Sequence, residues 1–148
     1  MSRNIVLAAA ATLLLASVAN AQDAVEATGD AAAGETAFRQ CIACHVVVNE
    51  AGDTLAGRNA RTGPNLYGVP GAVIGHVEDF RYSPGLTALH EEGVIWEEEN
   101  FAAYVQDPTT YIREATGDSS ARGSMAFRVR SEEDALNLYA YLASLAAE

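Results

Sequence analysis

The first 30 residues of the chain alternate little: residues 5–18 are an uncharged, mostly apolar run preceded by one basic residue, Arg3, and followed by Ala19-Asn20-Ala21. A basic start, a short apolar stretch and an A-x-A ending are the parts of a secretory leader, so residues 1–21 are expected to be cleaved after Ala21. The alternative is an uncleaved membrane anchor, but the run falls short of the roughly 20 apolar residues a spanning helix needs. Residues 22–29 are a polar lead-in, expected to be mobile.

From Asp30 onward the pattern becomes helical in three places. Asp30 is a plausible N-cap for a helix over 31–40, with Gly34, Ala37 and Phe38 on its buried side. Three acids, Glu97, Glu98 and Glu99, follow Trp96 and suit the first turn of a second helix, where Phe101, Tyr104 and Val105 recur at helical spacing. Pro108 should end that helix by disfavouring the α conformation at Asp107. Ser131-Glu132-Glu133-Asp134 opens the last helix as a near capping box, and Leu138, Tyr141, Leu142 and Leu145 form its core stripe.

Between these helices glycine and proline break up the pattern. Val46 to 48 leads into a loop carrying Gly52, Gly57 and Gly63. Residues 67–89 hold Gly68, Pro70, Gly71, Gly75, Pro84 and Gly85 and read as irregular loop wrapped over something large, the condition for so long a loop in a compact chain. A short turn is expected through Tyr111 and Ile112, then a polar segment over 113–123. The mature length, residues 22–148, and the absence of repeats predict a single domain.

Composition adds a partner constraint. The net charge is −11, with 20 acids against nine arginines and no lysine. Nucleic acid is therefore excluded as a natural partner. Residues 78–107 carry eight acids and one arginine, whereas Arg58 and Arg61 lie in an acid-free stretch and Arg113, Arg122, Arg128 and Arg130 flank Met125. That distribution predicts a dipolar molecule with a modest arginine rim able to orient an encounter with an acidic surface. The competing readings are solvated surface charge without a docking role, and an acidic composition suited to a salty habitat, where screening weakens steering.

The chemistry sits in Cys41-Ile42-Ala43-Cys44-His45, and the chain has no other cysteine. C-x-x-C-H is the attachment signature of a c-type haem. On a helical turn, positions i, i+3 and i+4 share a face, so two thioether bonds and one iron bond could come from one turn. A C-x-x-C dithiol beside an incidental histidine is the competing reading, although no thioredoxin-like βαβ pattern surrounds it. Zinc lacks the second pair of ligands that a tetrahedral site requires. A prolyl carbonyl can accept the other ring N–H of a haem-ligating histidine, and Pro64, in Thr62-Gly63-Pro64-Asn65-Leu66, is the candidate for His45.

These motifs in this order resemble a class I cytochrome c of the mitochondrial-like type found in the periplasm of purple bacteria. The resemblance runs from Gly29-Asp30 through the C-x-x-C-H motif, Pro64, Trp96, Tyr104, Asp107-Pro108 and Met125-Ala126-Phe127 to Tyr141-Leu142. It implies a small all-α fold of three long helices and shorter ones around one covalent haem, with the terminal helices crossing where Gly34 and Phe38 meet Tyr141 and Leu142. It implies His45 and Met125 as axial ligands, Tyr82 and Trp96 as donors to a haem propionate, Tyr104 near the methionine sulfur, and Phe127 at the exposed haem edge. Two positions depart from the pattern: Ala72 stands where many relatives have an arginine near a propionate, and Leu86 where asparagine is common. The segment 113–123 also looks longer than in mitochondrial relatives.

The function so implied is a periplasmic one-electron carrier, not an enzyme. It would act as a monomer without stable membrane insertion, between a quinol-oxidising complex and a reaction centre, oxidase or reductase. The alternative from the enzyme and sensor classes, a haem peroxidase or gas sensor, needs an open or labile sixth iron position. His76 and His90, rivals to Met125 as ligand, are expected to be surface loop histidines.

Overall fold

The computed structural model describes residues 25–147; the leader and its cleavage point lie outside the described residues. Helix α1 (Ala31–Phe38) starts where expected, the Asp30 carboxylate accepting from the N–H groups of Ala32 and Ala33 at 2.8 and 3.0 Å. It stops two residues earlier than the pattern suggested. Gln40 and Cys41 donate to carbonyls three residues back, at 3.1 and 2.8 Å, which tightens the chain into turns before the cysteine motif.

Two short antiparallel strands, β1 (Val47–Val48) and β2 (Thr54–Ala56), occupy part of the stretch read as loop. Residues 67–89 are irregular only as far as Ser83. There α2 (Pro84–Glu91) begins, with proline in its first turn and Gly85, Leu86 and Leu89 buried. Proline lacks only an N–H that a first turn leaves unpaired, so here it starts a helix.

Asp107 ends α3 (Glu98–Gln106) as predicted, but Pro108 also begins α4 (Pro108–Thr116), where a short turn was expected. Asp107 has φ −148° and ψ 85°, so one residue bends the chain between two helices while its side chain accepts from Thr110 N–H at 3.1 Å. Gly117, at φ 69°, closes α4 in the left-handed region that glycine tolerates.

The long helix α5 (Glu132–Ala146) is capped by the Ser131 hydroxyl, which accepts from Asp134 N–H at 3.2 Å. Its predicted stripe is buried at Leu138, Tyr141 and Leu142, and Ala135 and Tyr139 are buried with it. Helix α1 crosses α5 at Gly34, with Phe38 and Tyr141 ring centres 5.6 Å apart. The lead-in is pinned at its end: Thr28 donates twice to the Glu98 carboxylate, at 2.7 and 2.9 Å, and Asp30 N–H donates to the buried Asn137 side chain at 2.7 Å. Opposite, Tyr139 OH donates to the Trp96 carbonyl at 3.0 Å, fixing the base of α3 against α5. No helix among the described residues is long and apolar enough to cross a membrane.

Candidate cofactor site

The helices and loops enclose a largely apolar cleft of about 370 Å³. All nine site residues expected from the sequence line it: Cys41, Cys44, His45, Pro64, Tyr82, Trp96, Tyr104, Met125 and Phe127. The cysteines and histidine reach it from one turn, since His45 N–H donates to the Cys41 carbonyl at 2.9 Å. The expected helical face is therefore kept locally, although α1 itself has ended.

His45 is held in one orientation. Its Nδ1 lies 2.9 Å from the Pro64 carbonyl, which can only accept, so the proton sits on Nδ1 and Nε2 keeps its lone pair. Burial, the larger influence, pushes the imidazole pKa down and favours the neutral ring, opposed by that hydrogen bond. Gly63 makes room for it: a Cβ built there would stand 2.6 Å from Nδ1 and 2.7 Å from Nε2. Gly63→Ala is therefore expected to lose about 1–3 kcal/mol and turn the ring off Pro64. Denaturant unfolding and the His45 ring resonances would check this; unchanged ring shifts would overturn it.

The two thiols are not joined to each other. Burial, and next the neighbouring Cys44, push the Cys41 thiol up to about 11, opposite to the lowered pKa of a redox-active C-x-x-C pair. No group of three or more His, Cys, Asp or Glu residues able to hold a metal ion occurs among the described residues.

Met125 enters from the long loop between α4 and α5, and that loop is tied along its length. Arg113 Nε donates to the Ala121 carbonyl at 2.9 Å, Gly123 N–H to Thr109 Oγ1 at 3.2 Å, and Val129 N–H to the Val105 carbonyl at 2.8 Å. Arg128 pairs with Asp107 at 3.1 Å. Backbone hydrogen bonding from Thr110 first, with a smaller pull from Arg128, holds the Asp107 carboxyl below the usual range. Two arginines of the expected rim thus serve the loop, while Arg58, Arg61, Arg122 and Arg130 stay exposed.

The aromatic wall is broader than the sequence suggested. Trp96 lies 5.1 Å from Tyr104 and 6.1 Å from both Phe101 and Tyr111, centre to centre. Burial, then Tyr82, pushes the Tyr104 hydroxyl up to about 12, so it is a donor at any ordinary pH. His76 faces the cleft, whereas His90 sits on α2, exposed, with Nδ1 2.7 Å from the Ile74 carbonyl. Sequence reasoning missed Ser83, whose Oγ is buried without a partner on the cleft wall. It stands beside Pro84 and looked like turn.

Apolar walls, two thiols, an imidazole with a free Nε2, a thioether and an unsatisfied buried hydroxyl fit a flat apolar group with polar edges and a metal at its centre. No protein-family model matches the chain. Cytochrome c2 of Rhodovulum adriaticum is 60% identical over 121 residues, covering 82% of this chain and 96% of that protein. Cytochrome c2 of Cereibacter sphaeroides is 50% identical over 119 residues, covering 80% and 96%. Among solved structures, cytochrome c2 from Rhodobacter sphaeroides superposes with a TM-score of 0.77 at 50% identity, over 80% of this chain and 97% of that one. Ferric cytochrome c-550 from Paracoccus versutus gives 0.74 at 38% identity, over 80% and 98%. The chain belongs to the cytochrome c2 family: it is a class I c-type cytochrome, and the group its cleft accommodates is one covalently attached haem c.

Proposed function

We propose that this protein is a diffusible one-electron carrier of the periplasm, with residues 1–21 removed on export and residues 30–148 forming the single haem domain. The observation that carries the reading is that His45 and Met125 come to one apolar cleft from separate loops, His45 with its Nδ1 committed to Pro64. In this reading Cys41 and Cys44 would form the thioether links, His45 Nε2 and the Met125 sulfur would hold the iron, and the group so held would supply one-electron redox chemistry.

The chain's own contribution is to fix and insulate. Pro64 holds the His45 tautomer. Tyr82 and Trp96 offer donors to a propionate, Tyr104 stands beside the methionine sulfur, and the apolar lining excludes water. A neutral, soft thioether favours the lower iron charge and so a raised potential. Phe127, 42% exposed where it lines the cleft, offers an apolar point for brief contact with membrane redox complexes. Weak, small interfaces suit such exchange: quinol-oxidising complexes as donors, reaction centres, oxidases or reductases as acceptors.

Visible spectra of the purified exported protein test the reading. The oxidised form is expected to show the weak red band of methionine-sulfur ligation, and the reduced form to refuse carbon monoxide. Ready carbon monoxide binding would instead favour a sensor or peroxidase.

A further inference from the structure

Among the described residues, Arg128 and Asp107 form the one ion pair, at 3.1 Å, in a chain with 20 acids and nine arginines. It lies beside the segment that carries Met125. Residues 124–127 line the cleft and make no hydrogen bond of their own among the described residues. Their course is set from both sides. Before them, Gly123 N–H donates to Thr109 Oγ1 at 3.2 Å, and a Cβ built on Gly123 would stand 3.0 Å from Pro108 Cβ. After them come the Arg128 pair and the buried Val129, whose N–H donates to the Val105 carbonyl at 2.8 Å.

These anchors fall on residues 105–109, the corner between α3 and α4, and Asp107 is the single residue that links the two helices. Its carboxylate has two tasks there. It accepts from Thr110 N–H at 3.1 Å, capping α4, and it meets the Arg128 guanidinium. The shape of the corner and the outgoing limb of the loop therefore depend on one side chain. Both partners are partly exposed, so the pair by itself is weak and open to salt. Its leverage comes from position, because a span with no bonds of its own moves when one end is freed.

We propose that Asp107 is a positioning residue for Met125: through Arg128 it holds the outgoing limb of the loop, and so keeps the thioether at the iron site. This deepens the carrier reading and rests on it, since it takes Met125 as a ligand. When the loop opens the sulfur leaves, and an added ligand can take its place. The apparent affinity for such a ligand scales with the fraction of molecules whose loop is open. Loss of the pair raises that fraction whichever partner is removed. A plain field effect would behave differently, because Asp107→Asn and Arg128→Gln change the net charge in opposite senses and their effects through space would oppose one another.

The test is imidazole binding to the oxidised holoprotein at pH 8, above the imidazole pKa, followed by loss of the methionine-sulfur band. The proteins compared are wild type, Asp107→Asn, Arg128→Gln, the double variant, Arg128→Lys and Arg122→Gln. Asparagine keeps an oxygen for the α4 cap, and Arg122 is an exposed arginine outside the lining. At low salt, Asp107→Asn and Arg128→Gln are each expected to bind imidazole roughly threefold more tightly, the scale of one exposed ion pair. The double variant should bind no more tightly than either single one. Arg128→Lys and Arg122→Gln should stay near wild type, and high salt should bring wild type up to the variants. Opposite shifts in the two single variants, additive shifts in the double variant, or no shift in either would overturn the proposal. So would an equal gain in Arg122→Gln. A wild-type protein without the methionine-sulfur band would count against the carrier reading itself, a failure visible before any variant is compared.

Discussion

Met125→Ala is expected to lower the reduction potential by a few tenths of a volt, out of the roughly 0.8 V over which axial ligation sets haem potentials. The thioether is a neutral, soft donor that discriminates in favour of the lower iron charge, and removing it cancels that discrimination. Few side chains are placed to replace it. The chain has no lysine, His90 is outside the cleft, and His76 is the one remaining histidine in the lining. The loop that brings Met125 is fastened to α3 and α4 by Arg113, Thr109, Val105 and the Asp107 to Arg128 pair, so it will not collapse to bring a neighbour in. The reduced variant should accordingly bind carbon monoxide, with the red band gone. A variant with an unchanged potential and band would remove Met125 from the ligand set.

Cys41, Cys44, His45 and Met125 were legible as candidates because their chemistry is local or unique. C-x-x-C-H places three groups on one turn whatever the rest of the chain does, and Met125 is the one methionine outside the leader. Long apolar stripes were equally readable: α5 begins at its capping serine and buries the predicted face. Helix α2 was not legible. Its core face is only Leu86 and Leu89 with Gly85, too few positions to set a period, and its starting proline looks the same as a turn proline. Helix α4 was hidden for the same reason, between a proline read only as a stop and a left-handed glycine.

Of the cleft wall over 75–83, only Tyr82 was legible in the sequence, the rest being hidden for a different cause. Arg81, His76 and the unsatisfied Ser83 hydroxyl converge through the path of an irregular loop, and such a path has no periodicity to read. His76 and His90 make the point directly. They were equivalent as residues in a loop, and tertiary structure turned one inward and set the other on a helix, against the Ile74 carbonyl.

The second large effect concerns the helix crossing that frames the cleft. In an ordinary helix Gly→Ala gains about 1 kcal/mol from propensity. Gly34→Ala is expected to do the opposite and lose about 3 kcal/mol, because a Cβ there would drive into the Asn137 carbonyl and stand 2.7 Å from Tyr141 Cβ. Backbone is the obstacle, and backbone at the middle of a 15-residue helix does not move aside. Helix α1 cannot slide away easily either, since Asp30 N–H is bound to the side chain of the same Asn137. It would have to lift off α5, separating Phe38 from Tyr141 three residues before Cys41 and so loosening the turn that carries the haem attachment. Denaturant unfolding of the holoprotein, with the exposed neighbour Glu35→Ala as reference, reads the sign. A lower midpoint for Gly34→Ala alone fits the crossing described; a midpoint equal to or above wild type would mean that the helices have room at Gly34, and that the close approach does not hold α1 in place.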